Sequence, residues 1–550
     1  MRDLRLLGAL LLASCNESLT PVRPVVARVT VLPDTATVTT GGALQLAAAL
    51  FDAEGHPLTG RSVIWSSSDP PFAAVSAAGL VTGLAHGRST ITAASGRASG
   101  SAEIKVFAPV NFVTVDQGDQ TIVVGGAVRL SATARDWRGT RLAGRPLTWS
   151  SLDPGTAAVA PDGFVSGLAP GSATITATSE GQTGATTIDV TRVSFAALSA
   201  SPAAHTCGVT AAGAAFCWGS DAVEQLGDGP AADNASPIGV RGGLGFAAVD
   251  GGGTFTCGLT PAGAAYCWGS GRSGRLGNGM IAVSAVPVPV SGGLRFTSLT
   301  TGWDHACAVT SVGAAYCWGG NGTGQVGSPG EKLTLTPARV AGAEELTSLA
   351  AGSGFTCGLA RGGAVSCWGD NQLAQLGNPG VSMSGTPRPV AGGLAFAVLA
   401  AGVRHACSLT PVGAAYCWGD NSSGQLGDGS TAAAPSPVAV AGGLRFASIA
   451  AGLDFTCGAT VDGEPYCWGA DDSGQLGNAA TTSCDGRPCS VTPARVAGGL
   501  ALAAVTAGDT HACGITTSGV AYCWGRNASG QLGDGATTDR PAPVRVLGQP

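Results

Sequence analysis

The C-terminal part of the chain repeats one cysteine pattern seven times. Each copy reads Cys, nine further residues and then Cys-Trp-Gly, and the first six copies follow one another at a spacing of 50 residues. The cysteine pairs are Cys207 and Cys217, Cys257 and Cys267, Cys307 and Cys317, Cys357 and Cys367, Cys407 and Cys417, Cys457 and Cys467, and Cys513 and Cys523. A fixed period of this length is typical of a repeat architecture, so an array of similar units is predicted over residues 193–550.

The spacing inside each copy predicts a disulfide across a β-hairpin. A glycine stands six residues after the first cysteine of every copy, as Gly213 does after Cys207. Three-residue hairpin loops commonly end in a left-handed residue, a conformation that glycine tolerates. With the loop at 211–213, Cys207 lies directly opposite Cys217, where the two Cα atoms are close enough for a disulfide.

The cysteines outside the repeat are Cys15, Cys484 and Cys489, which complete the 17 of the chain. Cys484 and Cys489 are predicted to pair with each other. They lie just before the seventh copy, which is shifted by six residues from the spacing of 50. Zinc binding is the alternative, but structural zinc ligands usually stand two to four residues apart, and no pair here has that spacing. Disulfides are therefore predicted, and they require an oxidising compartment.

Around each hairpin the sequence predicts four short strands, and seven such units are typical of a β-propeller. The fifth copy shows the unit most fully, with His-Ala-Cys at 405–407, Cys-Trp-Gly-Asp-Asn at 417–421 and Gly-Gln-Leu-Gly-Asp-Gly at 424–429. These elements resemble the regulator-of-chromosome-condensation repeat, and the resemblance implies a seven-bladed propeller. The founding member of that family exchanges guanine nucleotide through a protruding wedge. No copy here has an insertion long enough for a wedge, so exchange activity remains an alternative by resemblance only.

Residues 27–106 and 110–191 repeat each other at an offset of 84. Trp-Ser-Ser at 65–67 matches 149–151, and each copy ends in an alternating strand. Short alternating strands with turns every 8–12 residues predict a β-sandwich. The two units resemble bacterial immunoglobulin-like domains of group 2, which implies a spacer role. The predicted fold class is all-β: two immunoglobulin-like sandwiches followed by a seven-bladed propeller of the regulator-of-chromosome-condensation type.

The N-terminus predicts export. A short cationic segment precedes an apolar run at 6–12, and small residues lead to Cys15. The tetrad 12–15 resembles a bacterial lipobox, which implies a signal peptide over 1–14 and an acylated Cys15, followed by a linker to residue 26. The alternative is an ordinary secretory signal with a chance cysteine. The expected location is the outer membrane or cell surface, with the lipid as the only membrane contact.

Composition excludes one class of partner. The net charge is −6, and no basic stripe occurs anywhere in the chain, so nucleic-acid binding is not predicted. A glycine-rich chain with 12% charged residues also fits many short strands and turns.

No catalytic, cofactor-binding or metal-binding residue is predicted. Histidine stands two residues before the first cysteine in alternate copies, at His205, His305, His405 and His511. Phenylalanine takes that position in the copies between, which indicates packing rather than a metal site. The tryptophans of Cys-Trp-Gly are likewise expected to pack between blades.

The two residues before this His/Phe position, here called the dyad, vary from copy to copy. Framework positions repeat because the blade needs them, whereas a loop position is free to bind a ligand. The candidate partner-binding residues are Trp303, Asp304, Arg404, Asp454 and Asp509. Neutral drift on an exposed loop is the alternative. The loops 328–336, 379–386 and 478–492 form a second candidate surface.

These features together predict a surface-displayed, non-enzymatic recognition protein. The propeller would bind an unknown extracellular protein or glycan, without a cofactor. The alternatives are a structural envelope or matrix component that assembles with copies of itself, and exchange-like activity by family resemblance.

Overall fold

The computed structural model describes residues 23–550 apart from 230, 329, 331 and 479–481. The predicted signal peptide and Cys15 lie outside the described residues. Within them the chain is built of strands, and the one helical segment is a 3-10 turn, η1 (Arg272–Gly274). No helix in this part of the chain is long and apolar enough to cross a membrane. The chain forms two compact units: one comprises residues up to 113, 134–146 and 179–182, and the other comprises 114–133, 147–178 and 183–550.

The first immunoglobulin-like domain has ten strands in three sheets, ordered β1-β4-β5, β2-β10-β9-β6 and β3-β8-β7. The strands are β1 (Arg28–Leu32), β2 (Thr35–Thr39), β3 (Ala43–Gln45), β4 (Ala47–Phe51), β5 (Pro57–Leu58), β6 (Ile64–Ser67), β7 (Ala73–Val75), β8 (Leu80–Gly83), β9 (Gly87–Ser95) and β10 (Ala98–Phe107). Alternate side chains of β9, such as Ile91 and Ala93, enter the core, as the pleat requires. Trp65 is only half-buried and packs against the edge of this core.

The second immunoglobulin-like domain repeats this strand order with nine strands, without a counterpart of β5. Its strands are β11 (Phe112–Val115), β12 (Gln120–Val123), β13 (Ala127–Arg129), β14 (Ala132–Arg135), β15 (Thr148–Ser151), β16 (Ala157–Val159), β17 (Phe164–Gly167), β18 (Gly171–Ser179) and β19 (Gln182–Thr191). β12 pairs in parallel with β19 and on its other side meets the propeller, where Ile122 stands opposite Ile238. The Ser236 hydroxyl accepts the Ala127 N–H at 3.2 Å nearby. One sheet therefore runs from this domain into the first blade.

The repeats fold into consecutive blades, each with four antiparallel strands ordered from inside to outside. The blades are β20 (Phe195–Ala200), β21 (His205–Thr210), β22 (Ala215–Gly219) and β23 (Asn234–Gly239); β24 (Ala248–Gly251), β25 (Phe255–Leu259), β26 (Ala265–Gly269) and β27 (Ser284–Pro289); β28 (Phe296–Thr301), β29 (His305–Thr310), β30 (Ala315–Gly320) and β31 (Leu333–Arg339); β32 (Leu346–Ala351), β33 (Phe355–Ala360), β34 (Val365–Asp370) and β35 (Met383–Pro389); β36 (Val398–Ala401), β37 (His405–Leu409), β38 (Ala415–Gly419) and β39 (Ala434–Ala439); β40 (Phe446–Ala451), β41 (Phe455–Thr460), β42 (Pro465–Ala470) and β44 (Arg487–Arg495), with β43 (Thr482–Cys484) added at the edge; and β45 (Ala504–Ala507), β46 (His511–Ile515), β47 (Ala521–Gly525) and β48 (Arg540–Arg545).

The ring of blades closes between the last repeat and the first. The innermost strand of each blade contacts that of the next, and β20 contacts both β45 and β46. Every blade takes its strands from one repeat, so no strand is exchanged at the closure. The Phe195 N–H instead donates to the Gly519 carbonyl at 3.0 Å, and the closing contacts are noncovalent.

Candidate functional site

Each repeat carries the disulfide that the hairpin spacing predicts. Cys207 stands opposite Cys217 in the ladder, and the Cα atoms are 4.0 Å apart. The other six pairs have Cα separations of 4.0 or 4.1 Å and are fully buried. Cys484 and Cys489 are joined across the hairpin of β43 and β44, at 5.8 Å. Eight disulfides require that the chain fold in an oxidising compartment.

The four repeat histidines bind the neighbouring blade. His405 Nε2 lies 2.8 Å from the Thr456 hydroxyl, which donates to the Gln425 carbonyl at 2.8 Å. This network assigns the Nε2–H tautomer, because the hydroxyl proton is already used. The equivalent pairs are His205 with Thr256, His305 with Thr356, and His511 with Thr206.

Burial keeps these imidazoles neutral. It lowers the pKa of His205 to about 3, with a smaller effect from His511, and that of His405 to about 4. Each ring stands in its own blade and donates to one hydroxyl, an arrangement that joins blades. No group of three metal-ligating side chains occurs among the described residues.

The copies with phenylalanine use a matching apolar junction. Phe355 packs with Ala406 of the next blade, at the position where a histidine blade would meet threonine. The other junctions of this kind are Phe255 with Ala306 and Phe455 with Ala512. His–Thr and Phe–Ala junctions therefore alternate around the ring. The first blade carries both His205 and Thr206, because the last blade also presents a histidine to it.

The tryptophans also join neighbouring blades. The Trp468 indole N–H donates to the Gln425 carbonyl at 3.0 Å, and Trp218 reaches the Gln531 carbonyl across the ring closure at 2.9 Å. The Trp side chains of all copies are fully buried. The Cys-Trp-Gly and Gly-Gln-Leu-Gly elements are therefore one interblade contact, which leaves neither free for a ligand.

The dyads and the long loops lie on one end of the propeller, here called the dyad face. Strand 2 of each blade begins just after the dyad, and strand 3 ends beside it, where the long loop begins. The Thr323 hydroxyl, in the segment that follows β30, donates to the Gly354 carbonyl in the dyad of the next blade at 2.7 Å. The predicted loops are partly strand, because β31 begins at Leu333, β35 begins at Met383, and β43 and β44 occupy most of 478–492. Strand 3 nevertheless ends against a dyad, where the Gly320 N–H donates to the Asp304 carbonyl at 2.9 Å. The hairpin loops, including Val312, form the opposite end, here called the tip face.

The structure gives the candidate partner-binding residues different environments. Trp303 is 40% exposed on the dyad face. Arg404 donates to Asp454 at 2.7 Å and lies 3.5 Å from Asp420, so intramolecular ion pairs hold its guanidinium. Asp304 accepts a hydrogen bond of 3.3 Å from the Gln325 side chain.

The buried carboxyl of Asp509 has fewer compensating contacts than those of the other candidates. Burial, and to a smaller extent the charge of Asp454, raise the pKa of Asp509 to about 7, although Arg526 opposes the shift. Its Oδ1 is buried without a hydrogen-bond partner in the described part of the chain. This carboxyl is therefore partly protonated at neutral pH.

A central cavity of about 290 Å³ lies along the propeller axis and reaches the dyad face at Ser353 and Val403. Backbone hydrogen bonds connect the loops at this mouth, such as Val403 N–H to the Gly452 carbonyl at 3.0 Å. In each blade, the residue of the innermost strand that pairs with the first cysteine lines this channel. Together these residues form a ring. These positions hold Ser199, Asp250, Thr300, Ala350, Ala400, Ala450 and Thr506.

The polar members of this ring hydrogen-bond to the next blade. Thr301 N–H donates to Asp250 Oδ2 at 2.7 Å, and Gly251 N–H donates to the Ser199 hydroxyl at 3.0 Å. Sequence reasoning missed Asp250. The available signal was an acidic residue at a repeat position that otherwise holds only serine, threonine or alanine.

Family comparisons agree with this architecture. Residues 25–106 and 109–190 match the bacterial Ig-like domain (group 2), and residues 285–549 match the RCC1-like domain. The chain therefore combines two bacterial Ig-like domains with an RCC1-like propeller, which confirms the predicted all-β class and the order of its domains.

Solved structures support the fold alone. Prp20p from Saccharomyces cerevisiae is 24% identical with a TM-score of 0.54, and the match covers 64% of this chain and 87% of that one. Human WBSCR16 is 20% identical with a TM-score of 0.55, and the match covers 61% of this chain and 94% of that one.

Two curated relatives match over shorter stretches. Ice-binding protein 1 of Shewanella frigidimarina is 33% identical over 177 residues, which are 32% of this chain and 20% of the relative. An Ig-like virion protein of Serratia phage KSP90 is 37% identical over 155 residues, which are 27% of this chain and 58% of the relative. The chain thus spans about a fifth and just over half of these two relatives.

Proposed function

We propose that this chain is a surface-displayed, non-enzymatic recognition protein whose propeller binds an extracellular protein or glycan through the dyad face. The observation that carries the proposal is the contrast between the buried interblade contacts, which recur around the ring, and the dyads, which do not. Trp303 adds an exposed aromatic side chain to that face. Aromatic residues of this kind are enriched among the side chains that dominate binding energy.

The charge on the dyad face refines the expected partner. Arg404 is paired with two carboxylates, so its charge is compensated within the chain. Asp509 keeps a buried oxygen without a partner among the described residues. That oxygen is buried and out of reach of a partner, so Trp303 is the exposed anchor of this face, and a partner with an apolar or aromatic group fits it best.

Display outside the cell is the setting for this function. Disulfides persist in oxidising compartments, and two relatives are named for binding ice and for a virion. Acylation of Cys15 would then anchor the chain, with the immunoglobulin-like domains as the spacer. Metabolic labelling with a fatty acid tests this anchor: wild type incorporates label, and Cys15→Ser does not. Equal labelling of both would refute the lipid anchor and would leave the proposed binding role of the propeller unaffected.

Exchange-factor activity is not part of the proposal. The likeness to the solved propellers lies below 25% identity, which supports the fold alone. No activity is carried over from those structures.

Site-specific photo-cross-linking tests the binding face. Benzoylphenylalanine replaces Trp303 in one variant and Val312, which is 79% exposed on the tip face, in the matched control. Both oxidised proteins are exposed to envelope and culture-fluid components, and adducts are identified by mass spectrometry. The proposal predicts a defined adduct from position 303 and none from position 312. Adducts from position 312 alone would refute the dyad face as the binding surface.

A further inference from the structure

The channel along the propeller axis is lined mainly by small, uncharged residues. Among the residues that line it, all of them in the described part of the chain, Asp250 is the one ionisable side chain. Its carboxylate is held on both oxygens: the Ser199 hydroxyl donates to Oδ1 at 2.7 Å, and Thr301 N–H donates to Oδ2 at 2.7 Å. The Thr300 and Thr301 hydroxyls also interact with this carboxyl, and together these contacts fix its direction.

No cation within the described chain compensates this charge. The strands packed against β24 bring one titratable side chain toward it, His205, whose ring lies beside Gly251. Burial lowers the pKa of His205 to about 3, so that imidazole is neutral at physiological pH. Burial likewise raises the pKa of Asp250. An unpaired buried carboxylate is costly, and a cation bound beside it would remove much of that cost.

The remaining walls indicate what kind of cation fits. At the level of Asp250, the hydroxyls of Ser199, Thr300 and Thr506 line the near side of the ring, and alanines line the far side. A divalent metal ion prefers several oxygen ligands including more carboxylates, and no cluster of three metal-ligating side chains is found among the described residues. One carboxylate with hydroxyl acceptors suits an ammonium group, and the alanine wall suits methylenes.

We infer that the axial channel binds an alkylammonium group, with the ammonium on Asp250 and the Ser199 and Thr300 hydroxyls and with the alkyl chain along the alanine wall. Asp250 is the specificity-determining residue of this site. The site lies inside the ring, and its existence does not depend on the partner proposed for the dyad face.

Calorimetric titration of the oxidised chain with n-butylammonium tests the inference, with n-butanol as the uncharged probe of the same length and potassium as the inorganic cation. Butylammonium is expected to bind at least tenfold more tightly than butanol or potassium. Asp250→Asn is expected to weaken butylammonium by about tenfold to a hundredfold, as for loss of a charged hydrogen bond. Asp462→Asn, the same change at an exposed carboxylate on the tip face, leaves the affinity unchanged. Acidification weakens binding as Asp250 takes up a proton.

Three results would overturn the site. They are equal affinity for butylammonium and butanol, unchanged affinity in Asp250→Asn, and binding of potassium without butylammonium. A crystal structure with butylammonium decides the matter without any variant, should Asp250→Asn fail to fold. The nitrogen is expected within hydrogen-bonding distance of Asp250, and an empty channel contradicts the inference. Cross-linking from position 303 is a separate readout, so either proposal can fail alone.

Discussion

The junction between His405 and Thr456 offers a test of how the blades are held together. Thr456→Ala removes the hydroxyl that His405 Nε2 and the Gln425 carbonyl share. The carbonyl keeps the Trp468 indole as a donor, whereas the buried imidazole N–H is left without an acceptor. The loss of free energy of unfolding is therefore expected to be about 2 kcal/mol, most of it from the orphaned donor.

His405→Phe alone costs about 1 kcal/mol, because it removes one hydrogen bond while the Thr456 hydroxyl still donates to Gln425. The double variant recreates the natural junction of Phe355 with Ala406, where a glycine also lies under the ring. It is expected to lose only about 1 kcal/mol, so the coupling between the two substitutions is about 2 kcal/mol.

Urea unfolding of the four oxidised proteins, followed by tryptophan fluorescence, measures this cycle. The buried Trp residues of the repeats report loss of blade packing. A double variant less stable than Thr456→Ala, or losses that add within about 0.5 kcal/mol, would refute the interblade pairing of His with Thr and of Phe with Ala.

Two further predictions concern packing and pH. Gly427→Ala is expected to cost about 1 to 3 kcal/mol more than Gly443→Ala in urea unfolding, because a Cβ at 427 would lie 2.6 Å from the Trp468 indole nitrogen, whereas one at 443 meets nothing within 4 Å. Both glycines have positive φ, so equal losses would contradict the packing argument. The stability of Asp509→Asn relative to wild type is expected to rise by about 3 kcal/mol as pH rises from about 4 to about 7. The native carboxyl, with a pKa of about 7, keeps a proton there that the unfolded chain releases. A pH-independent difference between the two proteins would contradict this.

Local features of the molecule could be predicted from the sequence because neighbouring residues determine them. The loop at 211–213 fixes the register of its hairpin, and the structure shows Cys207 opposite Cys217. The dyad face illustrates the opposite case. Its segments come from neighbouring blades, and only the packing of one blade against the next brings Thr323 next to Gly354.

Contacts between blades were harder to predict because the partners stand about one repeat apart. The alternation of His with Phe was visible in the sequence, but the residues that these side chains contact in the next blade were not identified. The matching signal was the alternation of Thr256 with Ala306 just before the first cysteine. Asp250 could not be assigned to the channel, because its position in the ring follows from β-ladder register and propeller closure rather than from local sequence.

The affinity of a cross-linked partner for wild type, Trp303→Ala and Val312→Ala tests the recognition role most directly. Once the partner is identified, its dissociation constant is measured with each oxidised protein. Recognition through the dyad face predicts that Trp303→Ala lowers the affinity about tenfold or more, as expected for an exposed aromatic anchor, and that Val312→Ala leaves the affinity unchanged. Unchanged affinity in Trp303→Ala together with weakened binding in Val312→Ala would contradict recognition through the dyad face.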